Sequence, residues 1–291
     1  MRISSRIMAE NIKANLNKQS LQLMNSQTKI ATGKRINNLS DDPSGMQKVL
    51  NYRTTLSSIE QYQQNIADAR TRIEYTETVL GQINDLVDEA TTIASNPDSD
   101  NRAGLAQQVA NMRDQIMGLA NSKLGNNYIF HGHLTDTAPF DETTGAYDNT
   151  LPGSDEDHRT LIGDGIQITI NADGSDMFIE SGDNLFTILD DLETALIADN
   201  DTDIADTVNP LYRIGDQLET IRSGLAATYN RLETTDEHWE AFSLSVENMR
   251  STVEDADVTE AAIDLQLQKT SYEMLLKVAS EVVQPTLVDF L

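Results

Sequence analysis

A mainly α fold is predicted: a long antiparallel helical hairpin or coiled-coil bundle formed by the N- and C-terminal regions, with a small β-containing α+β module inserted between them. Three observations predict it. From Tyr52 to Ala94, apolar or small residues recur at alternating steps of three and four, through Ile59, Ile66, Ile73 and Leu80. A second series runs from Leu211 to Ala256 through Leu218, Leu225, Leu232 and Trp239. Between the two series, from about residue 128 to residue 207, the rhythm is lost and short apolar runs alternate with Gly- and Asp-rich turns. Heptad segments this long, near opposite ends of a chain, are suited to lie against each other as helices.

The elements follow in order. Residues 1–31 read as a helix with Ile3, Ile7, Met8, Ile12, Leu16, Leu23 and Ile30 on a seam that Gln19 and Ser26 interrupt. Such a helix is marginal alone in water. Gly33 stands where a helix C-terminal glycine stands, and residues 37–45 are turn chemistry. A long helix is predicted over about 46–95, stopped at Asn96-Pro97, and a shorter one over about 102–123, with Leu105, Val109, Met112, Ile116 and Leu119. Tyr128–Phe130, Ile166–Ile170 and Met177–Ile179 read as short strands, with Asn171-Ala172-Asp173-Gly174 as a hairpin signal. One amphipathic helix opens near Leu185 and is ended or interrupted near Asn200. The second long helix returns the chain until the Arg250–Asp257 stretch, where Asp257 and Glu260 form a capping-box-like pair ahead of a last helix. That helix is apolar on more than one face and calls for neighbours.

Composition narrows the function. Hydrophobic residues make up 38% and aromatics 5%. Those proportions suit thin helical bundles better than one large core. The net charge is −26, unevenly spread. Residues 1–60 hold nine Lys/Arg against four Asp/Glu, a net of +5; residues 131–207 hold one against nineteen, a net of −18. The acidic middle argues against a nucleic-acid partner, which needs a basic face. There is no cysteine, no apolar stretch long enough to span a membrane and no apolar leader among the first residues, so composition alone reads as cytosolic.

Chemistry-bearing motifs are sparse. His131-Gly132-His133, with Asp136 nearby, has a spacing that could bind a metal. No third strong ligand is marked, because His158 and His238 stand apart; two exposed loop histidines are the simpler reading. Nucleophile-elbow, zincin and phosphate-loop motifs are absent. Neither a catalytic residue nor a cofactor is expected, and Trp239 reads as packing.

Several motifs resemble one family. Met1-Arg2-Ile3-Ser4 opens the chain, and Ala31-Thr32-Gly33-Lys34-Arg35-Ile36-Asn37 is followed by Ser40-Asp41-Asp42-Pro43. Arg250-Ser251-Thr252-Val253-Glu254-Asp255-Ala256-Asp257 stands near the other end. Together these resemble the paired N- and C-terminal signatures of the bacterial flagellin family, over roughly residues 1–125 and 210–291. Within it, Asp41-Asp42-Pro43, the Tyr128–Phe140 segment (with His133 in place of the usual aromatic) and Leu287-Val288-Asp289-Phe290-Leu291 are more similar to the junction proteins between hook and filament than to the filament subunits.

The resemblance implies an architecture and a role. Residues 1–45 with 258–291 are expected to be terminal helices, disordered until assembly. Residues 46–127 with 208–257 would form the long-helix bundle, and 128–207 the acidic outer module. The intramolecular seam is assigned to Ile59, Ile66, Ile73, Leu80, Leu218, Leu225, Leu232 and Trp239. The assembly interface is assigned to Ile12, Leu16, Leu23, Ile30, Leu267, Met274, Val278 and Leu287. The implied partners are further copies of the chain in a ring, flagellin on the filament side, the other junction protein on the hook side and an export chaperone. The implied location is the extracellular flagellum, reached through the flagellar export apparatus without a cleaved leader. The alternatives are a filament subunit and, more remotely, a metal-binding protein or enzyme using His131 and His133.

Overall fold

The computed structural model describes residues 2–97, 100–148, 157–180 and 183–283. Helix dominates, as the heptad series require. α1 spans Arg2–Thr32, α2 Pro43–Ser95 and α3 Arg102–Ala120. The middle holds the short hairpin β1 (Lys123–Leu124) with β2 (Asn127–Tyr128), the hairpin β3 (Arg159–Gly163) with β4 (Ile166–Thr169), the one-turn helix α4 (Gly174–Phe178), and β5 (Ile179–Glu180) with β6 (Asp183–Asn184). All three pairs are antiparallel. α5 (Leu185–Ile197), α6 (Asp201–Glu254) and α7 (Val258–Val283) complete the chain.

The residues cluster into two compact units, one within Met1–Ser58 and Ala241–Leu291, the other within Ile59–Glu240. In the second unit, α2 and α6 run antiparallel, and polar side chains along their edges mark the register. Tyr62 packs on Trp239 with ring centroids 5.3 Å apart. Arg70 donates to the Tyr229 hydroxyl at 2.9 Å, that hydroxyl donates to Glu74 at 2.7 Å, Arg222 pairs with Glu77 at 2.8 Å, and Asn84 donates to Glu219 at 3.2 Å. Between these edges the heptad positions are buried: Ile59, Ile66, Ile73, Leu80, Leu218, Leu225 and Leu232 all lie inside. Trp239 is partly buried and donates its indole N–H to the Ile162 carbonyl at 2.7 Å.

The inserted module has its own aromatic centre. Phe130, Phe140, Phe178 and Phe186, four of the chain's six phenylalanines, meet at centroid separations of 5.1 to 6.1 Å. Edge-to-face pairs of this kind are favoured by the ring quadrupole. α5 packs against α3 through its Leu185, Ile188, Leu189, Leu192 and Leu196 face.

Four segments differ from the sequence expectation. Of Met177–Ile179 only Ile179 is in a strand, β5; Met177 and Phe178 lie on α4, because Asp173 caps a helical turn by accepting from the Ser175 N–H at 3.0 Å. The Asn171–Gly174 stretch is therefore a helix entry rather than a hairpin turn. Gly174 is required there, since a Cβ would stand 2.9 Å from the Phe130 carbonyl oxygen. Only Asn127 and Tyr128 pair as a strand, while Ile129 and Phe130 turn into the core. The second long helix starts at Asp201, earlier than its heptads do, with Asn200 accepting from the Thr202 N–H at 3.1 Å; Pro210 lies inside it. No helix among the described residues is long and apolar enough to cross a membrane.

Candidate assembly surface and joint

The first unit is organised around α1 and α7. Ile12, Leu16, Gln19, Leu23, Ser26 and Ile30 form the half-buried stripe of α1. Ala261, Leu265, Gln268, Tyr272, Leu275 and Ala279 form the covered stripe of α7, and the two helices pack together. Both stripes step four, three, four, three, four, the spacing of a coiled-coil seam. The polar interruption in the sequence has a partner: Gln19 donates to the Gln268 side-chain carbonyl and lies 3.5 Å from its backbone carbonyl. A buried polar pair of this type fixes register at some expense in stability.

The assigned interface residues therefore divide. Ile12, Leu16, Leu23 and Ile30 face α7. Leu267, Met274 and Val278 are 59%, 63% and 50% exposed. With Ile263 they form a stripe turned roughly 130° from the covered one, at about 100° per residue. Leu287 lies outside the described residues. Among the described residues, nineteen large apolar side chains stand well exposed, and all but Leu161, Ile166, Ile197 and Tyr212 belong to this unit. Exposed apolar area on this scale is a feature of interaction surfaces in general.

The two signature motifs meet at a joint. Gly33, in the left-handed region at φ +69°, ends α1. Its carbonyl accepts from the Ala256 N–H at 2.9 Å, Lys34 bridges to Asp255, and the Arg35 N–H donates to the Glu254 carbonyl at 2.7 Å. The end of α1 and the start of α7 are thus stitched together, which makes the helix pair antiparallel. The Glu254 side chain is 1% exposed and faces three cations: Lys34 at 2.5 Å, Arg53, and Arg250 at 3.5 Å. Burial pushes its pKa up, but the bonds from Lys34 and Arg53 outweigh burial and hold it below the usual glutamate value. Arg35 also donates to the Val253 carbonyl at 2.8 Å. On the far side of the loop, Asp41 accepts from the Asn37 and Asn38 N–H groups, and Asp42 caps α2 through the Gly45 N–H at 2.8 Å. Sequence reading quoted these motifs but gave Lys34, Arg53, Arg250 and Glu254 no role. Nothing local marks residues more than two hundred positions apart as partners.

The histidines are not a pair of exposed loop side chains. His131 is fully buried; its Nδ1 lies 3.0 Å from the Thr137 carbonyl and its Nε2 2.9 Å from the Asp148 carbonyl. Both ring nitrogens are already engaged, which disfavours metal ligation. His133 points elsewhere, stacking on His158 with centroids 5.3 Å apart. No group of three or more His, Cys, Asp or Glu side chains among the described residues is placed to hold a metal.

Long helices from both ends of the chain, stitched by paired terminal motifs around an inserted module, define a class, and the chain belongs to the bacterial flagellin family. The family model for the bacterial flagellin N-terminal helical region matches residues 3–135. Two relatives are each named flagellar hook-associated protein 3. That of Salmonella typhimurium is 34% identical over 215 residues, covering 67% of each chain. That of Escherichia coli is 28% identical over 302 residues, covering 95% of each. A solved flagellar hook-associated protein from Vibrio parahaemolyticus shares the fold at TM-score 0.67 and 23% identity, over 74% of this chain and all of that one.

Proposed function

We propose that this chain is a structural adaptor of the bacterial flagellum, joining hook to filament, and that it works as a ring of identical copies assembled through its terminal helices. The carrying observation is the exposed Ile263–Val278 stripe of α7, left uncovered after α1 has taken the other face. Further copies of the chain would cover it. The terminal helices, roughly residues 1–45 and 258–291, gain their order chiefly in the assembly, where neighbours supply the apolar area that offsets about 1–2 kcal/mol of backbone entropy per residue. Residues 46–127 with 208–257 act as the stiff bundle, and the acidic 128–207 module faces solvent. The role is structural rather than catalytic. Export through the flagellar apparatus with a chaperone, and contacts with flagellin on one side and the second junction protein on the other, complete the reading. The relatives' names and the family resemblance of the two terminal signatures support it.

A deletion strain tests it by negative-stain microscopy. Hooks without filaments, with flagellin shed into the medium, are expected; full-length filaments would overturn the reading. The family match also admits a filament subunit. Purified protein that grew long filaments from seeds would favour that alternative, and a junction protein would not grow them.

A further inference from the structure

Arg72 is the odd cation of the second unit. It sits on α2 at 8% exposure, donating only to the Ile129 carbonyl at 3.3 Å, while its Nε has no partner. Burial alone depresses its basicity, with no carboxylate to counter the effect. Beside it, His158 has an unpartnered buried Nδ1 and stacks on His133, the planes 17° from parallel. Arg72, His158 and, on the exposed side, His133 thus lie together in a chain of net charge −26, and no carboxylate pairs with Arg72. Arg72 and His158 line one open cleft of about 290 Å³, together with Thr160, Asn65 and Asp68. A buried guanidinium is normally paired, because leaving it unpaired forfeits its solvation.

We propose that this cleft binds a small oxyanion, with Arg72 as the fixed cation, protonated His158 as the second donor and the Thr160 hydroxyl at the rim. Arginine suits such ligands because its planar fork matches carboxylate, phosphate and sulfate oxygens. Free inorganic anions and a carboxylate from another chain share this chemistry. Asp68, whose carboxylate accepts from Gln64 at 3.0 Å, places one negative charge on the rim, which Arg72 and protonated His158 together outweigh. Proton uptake by His158 is opposed by Arg72 and His133, so an anion and the proton would bind cooperatively. Arg159 and Asp157, which flank His158 in the chain, pair with each other at 2.6 Å.

The test is thermal unfolding of the full chain in sulfate, phosphate or acetate against chloride at matched ionic strength. At ten times the dissociation constant the melting temperature should rise by about 2 °C. Sulfate, which stays dianionic, should act more strongly at pH 6 than at pH 8. A response to sulfate and phosphate alone points to a free inorganic anion, and one extending to acetate points to a carboxylate; either supports the site. Arg72→Met should abolish the response while leaving the anion-free protein at least as stable, since it removes an unpaired buried charge. A merely structural arginine would instead give a less stable variant. If Arg72→Met does not fold, His158→Gln decides: its sulfate response should shrink and lose its pH dependence. Equal melting in sulfate and chloride, meaning the cleft holds water only, or an undiminished response in His158→Gln, overturns the proposal.

Discussion

Glu254 concentrates the chemistry of the joint in a single carboxylate. Its folded pKa lies below the ordinary value of 4.5, so its contribution is full above about pH 4.5 and is lost as pH falls through the lower folded value. Glu254→Gln should cost about 1–2 kcal/mol, less than a fully buried pair, because Lys34 and Arg53 remain half-exposed. Hydrogen exchange should quicken at the Arg35 and Ala256 amides, with Ile73 and Leu80 unchanged; unchanged exchange at the joint would remove Glu254 from this role. His158 acts in the same direction in a higher window. Burial first, then Arg72 and His133, lower its pKa below 6.5, so the unfolded chain takes up its proton more readily. Stability in anion-free buffer should therefore decline as pH falls below about 6.5. Melting curves between pH 8 and pH 5.5 should show that decline, and His158→Gln should flatten it.

At the scale of elements, the α1–α7 pair trades stability for register. Replacing Gln19 and Gln268 together by leucine should raise the helicity of the terminal pair and loosen its alignment, whereas Gln19→Leu alone leaves Gln268 unpaired. Circular dichroism of the single and double variants separates the two effects; equal helicity in both would mean the pair does not set register. Exposed helical glycines offer the reverse test. A Cβ at Gly118 or Gly224 meets nothing within 4 Å, so alanine at either should add about 0.5–1 kcal/mol in chemical denaturation. Helices were the readable elements because a period of 3.6 repeats many times in a long segment. The short elements were less readable: Met177 and Phe178 have strand-forming surroundings, yet one carboxylate, Asp173, turns them into a helical turn.

For the molecule as a whole, two sets of apolar residues should respond differently to charge. Ile73→Asp or Leu225→Asp would bury an unpaired carboxylate, cost several kcal/mol and remove helical circular dichroism. Leu267→Asp should leave the monomer folded and block its incorporation into flagella. Equal monomer damage from all three would contradict an α7 surface kept for partners. Burial on a helix repeats with the helix itself, and every heptad position from Ile59 to Leu80 that sequence singled out lies inside or nearly so. The covered and open faces of α7 were not legible in the sequence, since Leu265 and Leu267 are equally apolar and only the placement of α1 separates them. The same holds for the charges. Sequence alone determined the helices, the inserted module and the two signatures at either end, because these follow from local period and composition. Tertiary structure alone decided that the signatures meet at Glu254, that His131 is sealed inside and that Arg72 stands without a counterion, because each depends on which distant backbone comes within hydrogen-bonding reach.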